Sequence, residues 1–142
     1  MIKKGIVLAG GMGTRISPLT KAVNKQLLPL YDKPLIYYPL SVLMLAGIKK
    51  ILIIVNKGQL SQFRKILPEK NNLGISLEYK EQIRPGGLPE AFTIGEKFIN
   101  KDSVCLILGD NFFYGQSLTK ILRKNMNFNS GAKIFVHPVK SP

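Results

Sequence analysis

The sequence has 142 residues, of which 45% are hydrophobic, and this is enough for one domain with a buried core. That composition excludes an intrinsically disordered chain, and no apolar run reaches the roughly 18 residues that a bilayer-spanning helix requires. The net charge of +13 has two possible interpretations: a basic surface that binds nucleic acid, or a lysine-rich surface that is only solvated. Because the lysines are scattered and not interleaved with aromatic residues, the solvated surface is favoured, and we expect neither nucleic acid nor a membrane as a partner.

The chain begins with a predicted strand that runs into a glycine loop. Ile6 to Ala9 are four consecutive apolar residues, which is typical of a short buried strand. Three glycines follow within positions 10–13, and Thr14 and Arg15 complete the loop. Glycine lets backbone N–H groups approach an anion closely, and arginine carries a planar charged fork that suits phosphate oxygens. Together these features predict a phosphate cradle at the carboxyl end of a parallel strand.

Two familiar phosphate-binding loops do not fit this stretch. No G-x-x-x-x-G-K-[ST] string follows the glycines, which excludes the P-loop. The dinucleotide fingerprint G-x-G-x-x-G fails at its third glycine, because Ile16 stands there. A tight turn without a ligand is the remaining alternative, but a turn does not require three glycines, a threonine and an arginine.

The rest of the chain alternates between helical patterns and short apolar runs. In order, the predicted elements are an extended loop over 16–34, a helix over 36–46, a strand over 50–55, a helix over 59–67, a strand over 75–79, a helix that begins at Pro89, a strand over 104–108, a helix over 117–124 and a strand over 132–136. This alternation predicts an α/β fold with a mostly parallel sheet and helices on both faces.

Cysteine usage and the amino terminus bear on the compartment. Cys105 is the only cysteine and falls in the apolar run 104–108, where we expect it to be a buried small hydrophobe in a reducing cytoplasm. Met1 to Gly5 lead directly into the glycine loop, so removing them as a signal peptide would destroy the predicted site. Both points predict a cytoplasmic protein.

The residues downstream of the glycine loop carry a family resemblance. They are Ser17-Pro18-Leu19-Thr20, Asn24-Lys25-Gln26-Leu27-Leu28-Pro29, Tyr31-Asp32-Lys33-Pro34-Leu35-Ile36-Tyr37-Tyr38-Pro39 and Gly109-Asp110-Asn111. With the glycine loop they resemble the sugar-1-phosphate nucleotidyltransferases over essentially the whole chain, and the Tyr-Asp-Lys-Pro run is most similar to the glucose-1-phosphate thymidylyltransferase branch.

The resemblance implies a fold, a reaction and partners. The fold would be the Rossmann-like nucleotidyltransferase fold. The reaction would transfer a thymidylyl group from dTTP to glucose 1-phosphate, giving dTDP-glucose and pyrophosphate for the biosynthesis of dTDP-sugars such as dTDP-rhamnose. Mg²⁺ would be the cofactor, and we expect the full-length protein to be a homo-oligomer.

The resemblance also implies site residues. Those assigned to substrate binding are Gly10, Gly13, Thr14, Arg15, Lys25, Gln26, Gln82, Gly87 and Asp110. Arg15 and Lys25 are assigned catalytic roles on the phosphates, and Asp110 is assigned the metal. Chemically, a lysine is a compact charge that can follow an oxygen as it gains charge, and an amide can pair with the imide edge of thymine.

Each of these residues has a plainer interpretation on its own. Lys25 would be a solvated surface lysine, Gln82 a polar residue at a strand end, and Asp110 a turn or helix cap. Asp110 follows the strand 104–108, and a carboxylate at the carboxyl end of a strand suits Mg²⁺. Arg84 and Glu90 depart from the family pattern beside the base pocket. The one histidine, His137, is expected to have no catalytic role.

The resemblance implies that a longer chain would bind the nucleotide with its amino-terminal part and the sugar with its carboxy-terminal part. Residues 1–142 would be the amino-terminal, nucleotide-binding part of a nucleotidyltransferase domain, and the carboxy-terminal part with the sugar pocket and a second metal-binding aspartate would be absent. We therefore expect these 142 residues alone to bind nucleotide and to turn over poorly or not at all. The alternatives are a uridylyl- or other sugar-1-phosphate nucleotidyltransferase on the same scaffold, and a nucleotide-binding fragment with no turnover.

Overall fold

A computed structural model describes residues 1–127 and 130–140, so residues 128, 129, 141 and 142 of the predicted domain lie outside the described residues. Its elements are β1 (Lys4–Ala9), α1 (Leu19–Ala22), β2 (Pro29–Leu30), β3 (Lys33–Pro34), α2 (Tyr37–Leu45), β4 (Lys50–Asn56), α3 (Leu60–Ile66), β5 (Ser76–Gln82), α4 (Leu88–Ile94), α5 (Glu96–Ile99), β6 (Val104–Leu108) and α6 (Leu118–Asn125). Two short 3-10 turns, Thr14–Ile16 and Lys25–Leu27, lie between β1 and β2.

Four of the strands form one parallel sheet in the order β5-β4-β1-β6. β1 lies in its interior, with β4 on one side and β6 on the other. β2 and β3 form a separate antiparallel hairpin. This arrangement confirms the predicted α/β class with a parallel sheet.

The core has two halves because the strand side chains alternate between the faces of the sheet. On one face, Val7 and Ile53 pack with residues of α2, α3 and α6. On the other face, Ile6 and Leu52 pack with Ala91 of α4 and with α5. The inner strands β1 and β4 are apolar over most of their length because both of their faces are covered, as parallel sheets require, whereas the edge strand β5 carries exposed Glu78 and Lys80.

The register brings the carboxyl ends of the strands together at one edge. Ala9 is level with Val55, and Leu8 is level with Leu108. Asn56 and Gln82 are paired at the ends of β4 and β5. The chain builds outward from β1 through β4 to β5 and then returns to the other side of β1 with β6, so the connections diverge between β1 and β6. Open α/β sheets bind ligands at such a switch point.

One predicted strand is wrong. Residues 132–136 have no regular structure and are exposed, with Ile134 at 80% and Val136 at 81%. Their apolar, β-branched composition suits a strand, but a strand also requires a neighbour to pair with, and in the described residues this segment pairs with none.

Two other segments are more broken than predicted. The helix from Pro89 is divided at Gly95 into α4 and α5. Gly95 is closely packed, since a β-carbon there would lie 2.9 Å from the Ala91 carbonyl oxygen. The loop over 16–34 contains α1, a 3-10 turn and the β2–β3 hairpin.

Cys105 lies on β6 and is only partly buried, whereas the sequence predicted a buried residue. Burial nevertheless raises the pKa of its thiol, which favours the protonated form. No helix in the described residues has the length and apolar character needed to cross a membrane.

The packing predicts that the core of β4 dominates stability. Ile53 is fully buried, so Ile53→Ala removes methylene groups from a packed interior and is expected to lower the free energy of unfolding by about 2–5 kcal/mol. Ile134→Ala is the matched control at an exposed site, and it is expected to change this free energy by less than about 0.5 kcal/mol. Urea denaturation measures both, and equal effects would contradict the two-face core.

Candidate functional site

A cleft of about 200 Å³ opens at the carboxyl edge of the sheet, between the connections that follow β1 and β6. Its lining residues are Gly10, Gly11, Gly13, Thr14, Arg15, Ile16, Lys25, Gln26 and Asp110. Seven of the nine residues that the sequence assigned to substrate binding therefore line one cleft.

The glycine loop is shaped by two close approaches. Gly13 has a φ of 60° and turns the chain into the 3-10 turn over Thr14–Ile16. Its carbonyl accepts a hydrogen bond of 2.8 Å from Thr20 Oγ1, and a β-carbon at Gly13 would lie 2.6 Å from Thr20 Cγ2. At Gly10 a β-carbon would lie 1.7 Å from Gln82 Nε2. Position 13 therefore favours glycine by its backbone conformation, whereas a side chain at position 10 would have to displace the Gln82 amide, which lies directly against the wall of the cleft.

Asn24 fixes the segment that carries Lys25 and Gln26. Its Oδ1 accepts a hydrogen bond of 2.8 Å from the Gln26 backbone N–H, and its Nδ2 donates to Gln59 Oε1 and to the Ala9 carbonyl. The residue is 3% exposed. A buried amide with its donor and acceptor groups satisfied acts as a rigid link, here between the end of β1, the start of α3 and the cleft.

Gln26 leaves one polar atom unsatisfied. Its side chain is 3% exposed, and its Nε2 approaches the Gly10 carbonyl at 3.4 Å. Its Oε1 is buried and has no hydrogen-bond partner among the described residues. A buried acceptor without a donor costs roughly 1–3 kcal/mol, and native structures rarely retain one without a reason. Gln26, which lines the cleft, therefore holds a buried acceptor without a partner among the described residues.

Lys25 and Asp110 meet across the cleft. Lys25 Nζ lies 2.8 Å from Asp110 Oδ2, and the two side chains are 35% and 31% exposed. A partly exposed ion pair of this kind contributes little to the stability of the fold. It does keep a cation and a carboxylate side by side, where an incoming phosphate and an incoming cation could each take one of them.

Arg15 supplies a second positive charge at the mouth of the cleft. The residue is exposed, and no protein partner of its guanidinium exists in the part of the chain that the structure describes. Thr14 beside it is exposed too. The two side chains, together with the loop backbone, form the donor-rich wall that an anion needs.

Gln82 and Gly87 lie outside the cleft lining. Gln82 ends β5 and contacts Gly10 from behind, whereas Gly87 precedes α4 with a φ of 86°. The turn that holds Gly87 is closed by Glu90, whose Oε2 accepts a hydrogen bond of 2.6 Å from the Gly86 N–H. Glu90, noted in the sequence as a departure from the family pattern, therefore has a defined contact in this turn.

Sequence reasoning missed Asn56. Its Nδ2 donates to the Gly11 carbonyl at 2.8 Å, and its Oδ1 accepts from the Gly11 N–H at 3.2 Å and from Gln82 Nε2 at 2.9 Å. The signal was present, because Asn56 follows the apolar strand 51–55 as Asp110 follows 104–108. A polar residue at the carboxyl end of a parallel strand faces the ligand crevice in either case.

The donor set fits one kind of metal site. In residues 1–127 and 130–140, no group of three or more His, Cys, Asp and Glu side chains could hold a metal ion. The cleft instead offers the single carboxylate of Asp110. Mg²⁺ commonly binds through one or two carboxylates, water and substrate phosphates, so Asp110 suits an ion that arrives with a phosphorylated ligand.

The sequence matches the family described as Nucleotidyl transferase over residues 4–142. It is 55% identical to the glucose-1-phosphate thymidylyltransferase of Neisseria meningitidis over 98% of this chain and 48% of that protein. With the enzyme of the same name from Xanthomonas campestris it is 49% identical over 99% of this chain and 48% of that protein. The chain thus spans about half the length of the curated relatives it matches.

Solved structures give the same answer for the fold. A Bacillus anthracis protein assigned as a glucose-1-phosphate thymidylyltransferase superimposes with a TM-score of 0.76 at 36% identity, over 83% of this chain and 48% of that one. A UDP-glucose pyrophosphorylase in complex with UDP-glucose superimposes with a TM-score of 0.72 at 29% identity, over 89% and 52%. Both confirm the Rossmann-like fold.

The contact between Gly10 and Gln82 predicts the effect of one methyl group. Gly10→Ala would place its β-carbon on the Gln82 amide, and overpacking of this kind is expected to lower the free energy of unfolding by about 1–3 kcal/mol. Gly115→Ala is the matched control, because a β-carbon there meets nothing within 4 Å. Denaturant unfolding compares the two, and a neutral Gly10→Ala would show that Gln82 does not pack against this wall.

Proposed function

This chain belongs to the nucleotidyl transferase family, and from that premise we propose that the whole protein transfers a thymidylyl group from dTTP to glucose 1-phosphate, giving dTDP-glucose and pyrophosphate. The observation that supports this most directly is the convergence of the glycine loop, Lys25 and Asp110 on one cleft at the carboxyl edge of the sheet. The identity of 55% to a thymidylyltransferase supports the choice of nucleotide.

The glycine loop and Arg15 are suited to the triphosphate. In the reaction, an oxygen of the sugar phosphate attacks the α-phosphorus of the nucleotide, and the bond to the β-phosphate oxygen breaks as pyrophosphate leaves. Such a transfer depends on positioning and on neutralising charge more than on a covalent nucleophile. Gly10, Gly13 and Thr14 would hold the phosphates through backbone and hydroxyl donors, and Arg15 would face the leaving pyrophosphate.

Lys25 and Asp110 would act on the reacting phosphates. Without ligand they neutralise each other at 2.8 Å. A bound triphosphate offers Lys25 a more highly charged partner and leaves the Asp110 carboxylate available. Asp110 would then hold Mg²⁺, which when bound supplies neutralisation of phosphate charge. Lys25 keeps a mobile charge beside the α-phosphate throughout.

The two glutamines are suited to the base. Gln82 lies against Gly10 and Gln26 lines the cleft with an unsatisfied acceptor. The imide edge of thymine carries one N–H donor between two carbonyl acceptors, and side-chain amides can satisfy both kinds of group. Gly87 would allow backbone to approach the base closely.

A uridylyltransferase on the same scaffold is the nearest alternative, and the comparisons do not favour it. The UDP-glucose pyrophosphorylase that superimposes on the chain is 29% identical to it, whereas the thymidylyltransferases of Neisseria meningitidis and Xanthomonas campestris are 55% and 49% identical. The other alternative, a nucleotide-binding fragment with no turnover, is tested by running the assay below on residues 1–142 alone.

The direct test is pyrophosphate release by the whole protein from dTTP and glucose 1-phosphate in the presence of Mg²⁺. We expect turnover with dTTP, and we expect Asp110→Asn to reduce kcat at least about 100-fold, because the amide cannot replace the carboxylate charge. Asn72→Ala, an exposed change in the loop before β5, is the control and is expected to leave turnover unchanged. Absence of turnover with dTTP, or equal rates for Asp110→Asn and wild type, would contradict the proposal.

Arg15 provides a second, independent test. Arg15→Ala is expected to weaken dTTP binding by about 1.5–3 kcal/mol, the range for hydrogen bonds to charged groups, and to leave thymidine binding almost unchanged. Arg15→Lys should restore only part of the loss, because lysine cannot make the bidentate contact. Isothermal titration of both ligands measures this, and a parallel loss for dTTP and thymidine would mean that the substitution has disrupted the loop.

A further inference from the structure

Asn56 links the glycine loop to Gln82. Its side chain makes three hydrogen bonds, two to the backbone of Gly11 and one to the Gln82 amide. The backbones of Lys57 and Gln82 are also joined, by a hydrogen bond of 3.0 Å from the Lys57 N–H to the Gln82 carbonyl. Asn56 is thus held from two sides at the carboxyl end of β4.

The backbone of Gly11 fixes which way the Asn56 amide points. A backbone N–H can only donate and a backbone carbonyl can only accept. The Gly11 N–H therefore faces Asn56 Oδ1, and the Gly11 carbonyl faces Asn56 Nδ2. Rotating this amide by half a turn would oppose donor to donor and acceptor to acceptor, so one orientation is enforced.

The orientation of Asn56 in turn fixes Gln82. Asn56 Oδ1 faces the Gln82 amide at 2.9 Å, and only the NH₂ end of that amide can donate to it. Gln82 is 3% exposed and packs against Gly10 at the wall of the cleft. No hydrogen bond from the described residues reaches Gln82 Oε1. Gln82 therefore keeps its Oε1 as a free acceptor.

We infer that Asn56 is a positioning residue for base selection: it holds Gln82 with Oε1 available as an acceptor, so that the site accepts bases with an N3–H donor and rejects cytosine. This inference rests on the proposed function, since it names the specificity of that same site. Thymine and uracil carry a donor at N3, whereas cytosine carries an acceptor there. Cytosine would leave two acceptors facing each other, and a mismatch at a buried polar site is strongly rejected.

Because Asn56 contacts both Gly11 and Gln82, its side chain would support both phosphate binding and base selection. Gly11 belongs to the loop that would hold the triphosphate, and Gln82 would face the base. Truncating Asn56 to alanine would remove its contacts with both Gly11 and Gln82. Replacing it with aspartate would affect the two contacts differently. Aspartate keeps an acceptor oxygen for the Gln82 amide, but it cannot donate to the Gly11 carbonyl, and it adds a negative charge beside the phosphate loop.

The test measures dissociation constants for dTTP and dCTP in the whole protein by isothermal titration. We expect wild type to prefer dTTP by at least about tenfold, the value of one mismatched hydrogen bond at a buried site. Asn56→Ala should bind the two nucleotides almost equally, because the Gln82 amide is then free to rotate. Asn56→Asp should bind both more weakly and keep the preference. Asn72→Ala, the exposed control in the loop before β5, should behave as wild type.

A measurement without ligand separates this inference from the proposed function. The side-chain NH₂ protons of Gln82 should exchange slowly with solvent in wild type and in Asn56→Asp, and faster in Asn56→Ala, as NMR can record. A wild type that binds no thymidine nucleotide would overturn the proposed function, and the base selectivity inferred here with it. A dTTP preference that persists in Asn56→Ala, or is lost in Asn56→Asp, would overturn the role of Asn56 alone. If Asn56→Ala does not fold, Asn56→Asp decides, because it must retain the preference.

Discussion

Parallel pairing on both sides of β1 is the constraint on which the rest of the structure depends. β4 and β6 pair with the same strand in register, and this places the ends of three strands at one edge. Because the chain leaves β1 in one direction and returns on the other side, the connections after β1 and β6 separate there. The cleft is the gap that they leave, and Gly10 and Asp110 come from its opposite walls.

The buried polar residues in and behind the cleft are neutral amides, whereas the charged residues of the cleft are partly or fully exposed. Asn24, Gln26 and Gln82 are the buried polar residues in the described chain. A buried ion would need a partner that fully compensates its lost hydration, whereas an amide needs only a few hydrogen bonds. Lys25, Asp110 and Arg15 keep contact with water, and so they can exchange partners when a charged ligand enters.

Local patterns in the sequence predicted which segments come together at the carboxyl edge of the sheet better than the side-chain contacts between them. The strand over 104–108 has the predicted bounds, and the glycine loop, Lys25 and Asp110 lie together as expected. The bridging role of Asn56 depends on the register of β4 against β5 and on the path of the loop after β1. Neither is encoded in the residues around position 56.

The wrong strand over 132–136 has a related cause. Hydrophobic composition indicates that a segment favours a strand, but pairing is decided by what lies beside it. The break at Gly95 was not predicted either, and Gly95 packs closely against Ile6 and Leu52, two strand residues far away in the sequence. Patterns within a window of about ten residues contain no information on such contacts.

Gly10 and Gln82 also constrain each other over evolutionary time. No side chain fits at position 10 while the Gln82 amide lies where a β-carbon would be. A lineage that replaced Gln82 with a shorter residue would open space for a substitution at position 10, whereas the reverse order passes through an overpacked intermediate. The two positions are 72 residues apart in the sequence. We therefore expect substitutions at the two positions to occur together, with the change at position 82 first. An alignment of many relatives would record this as paired substitutions.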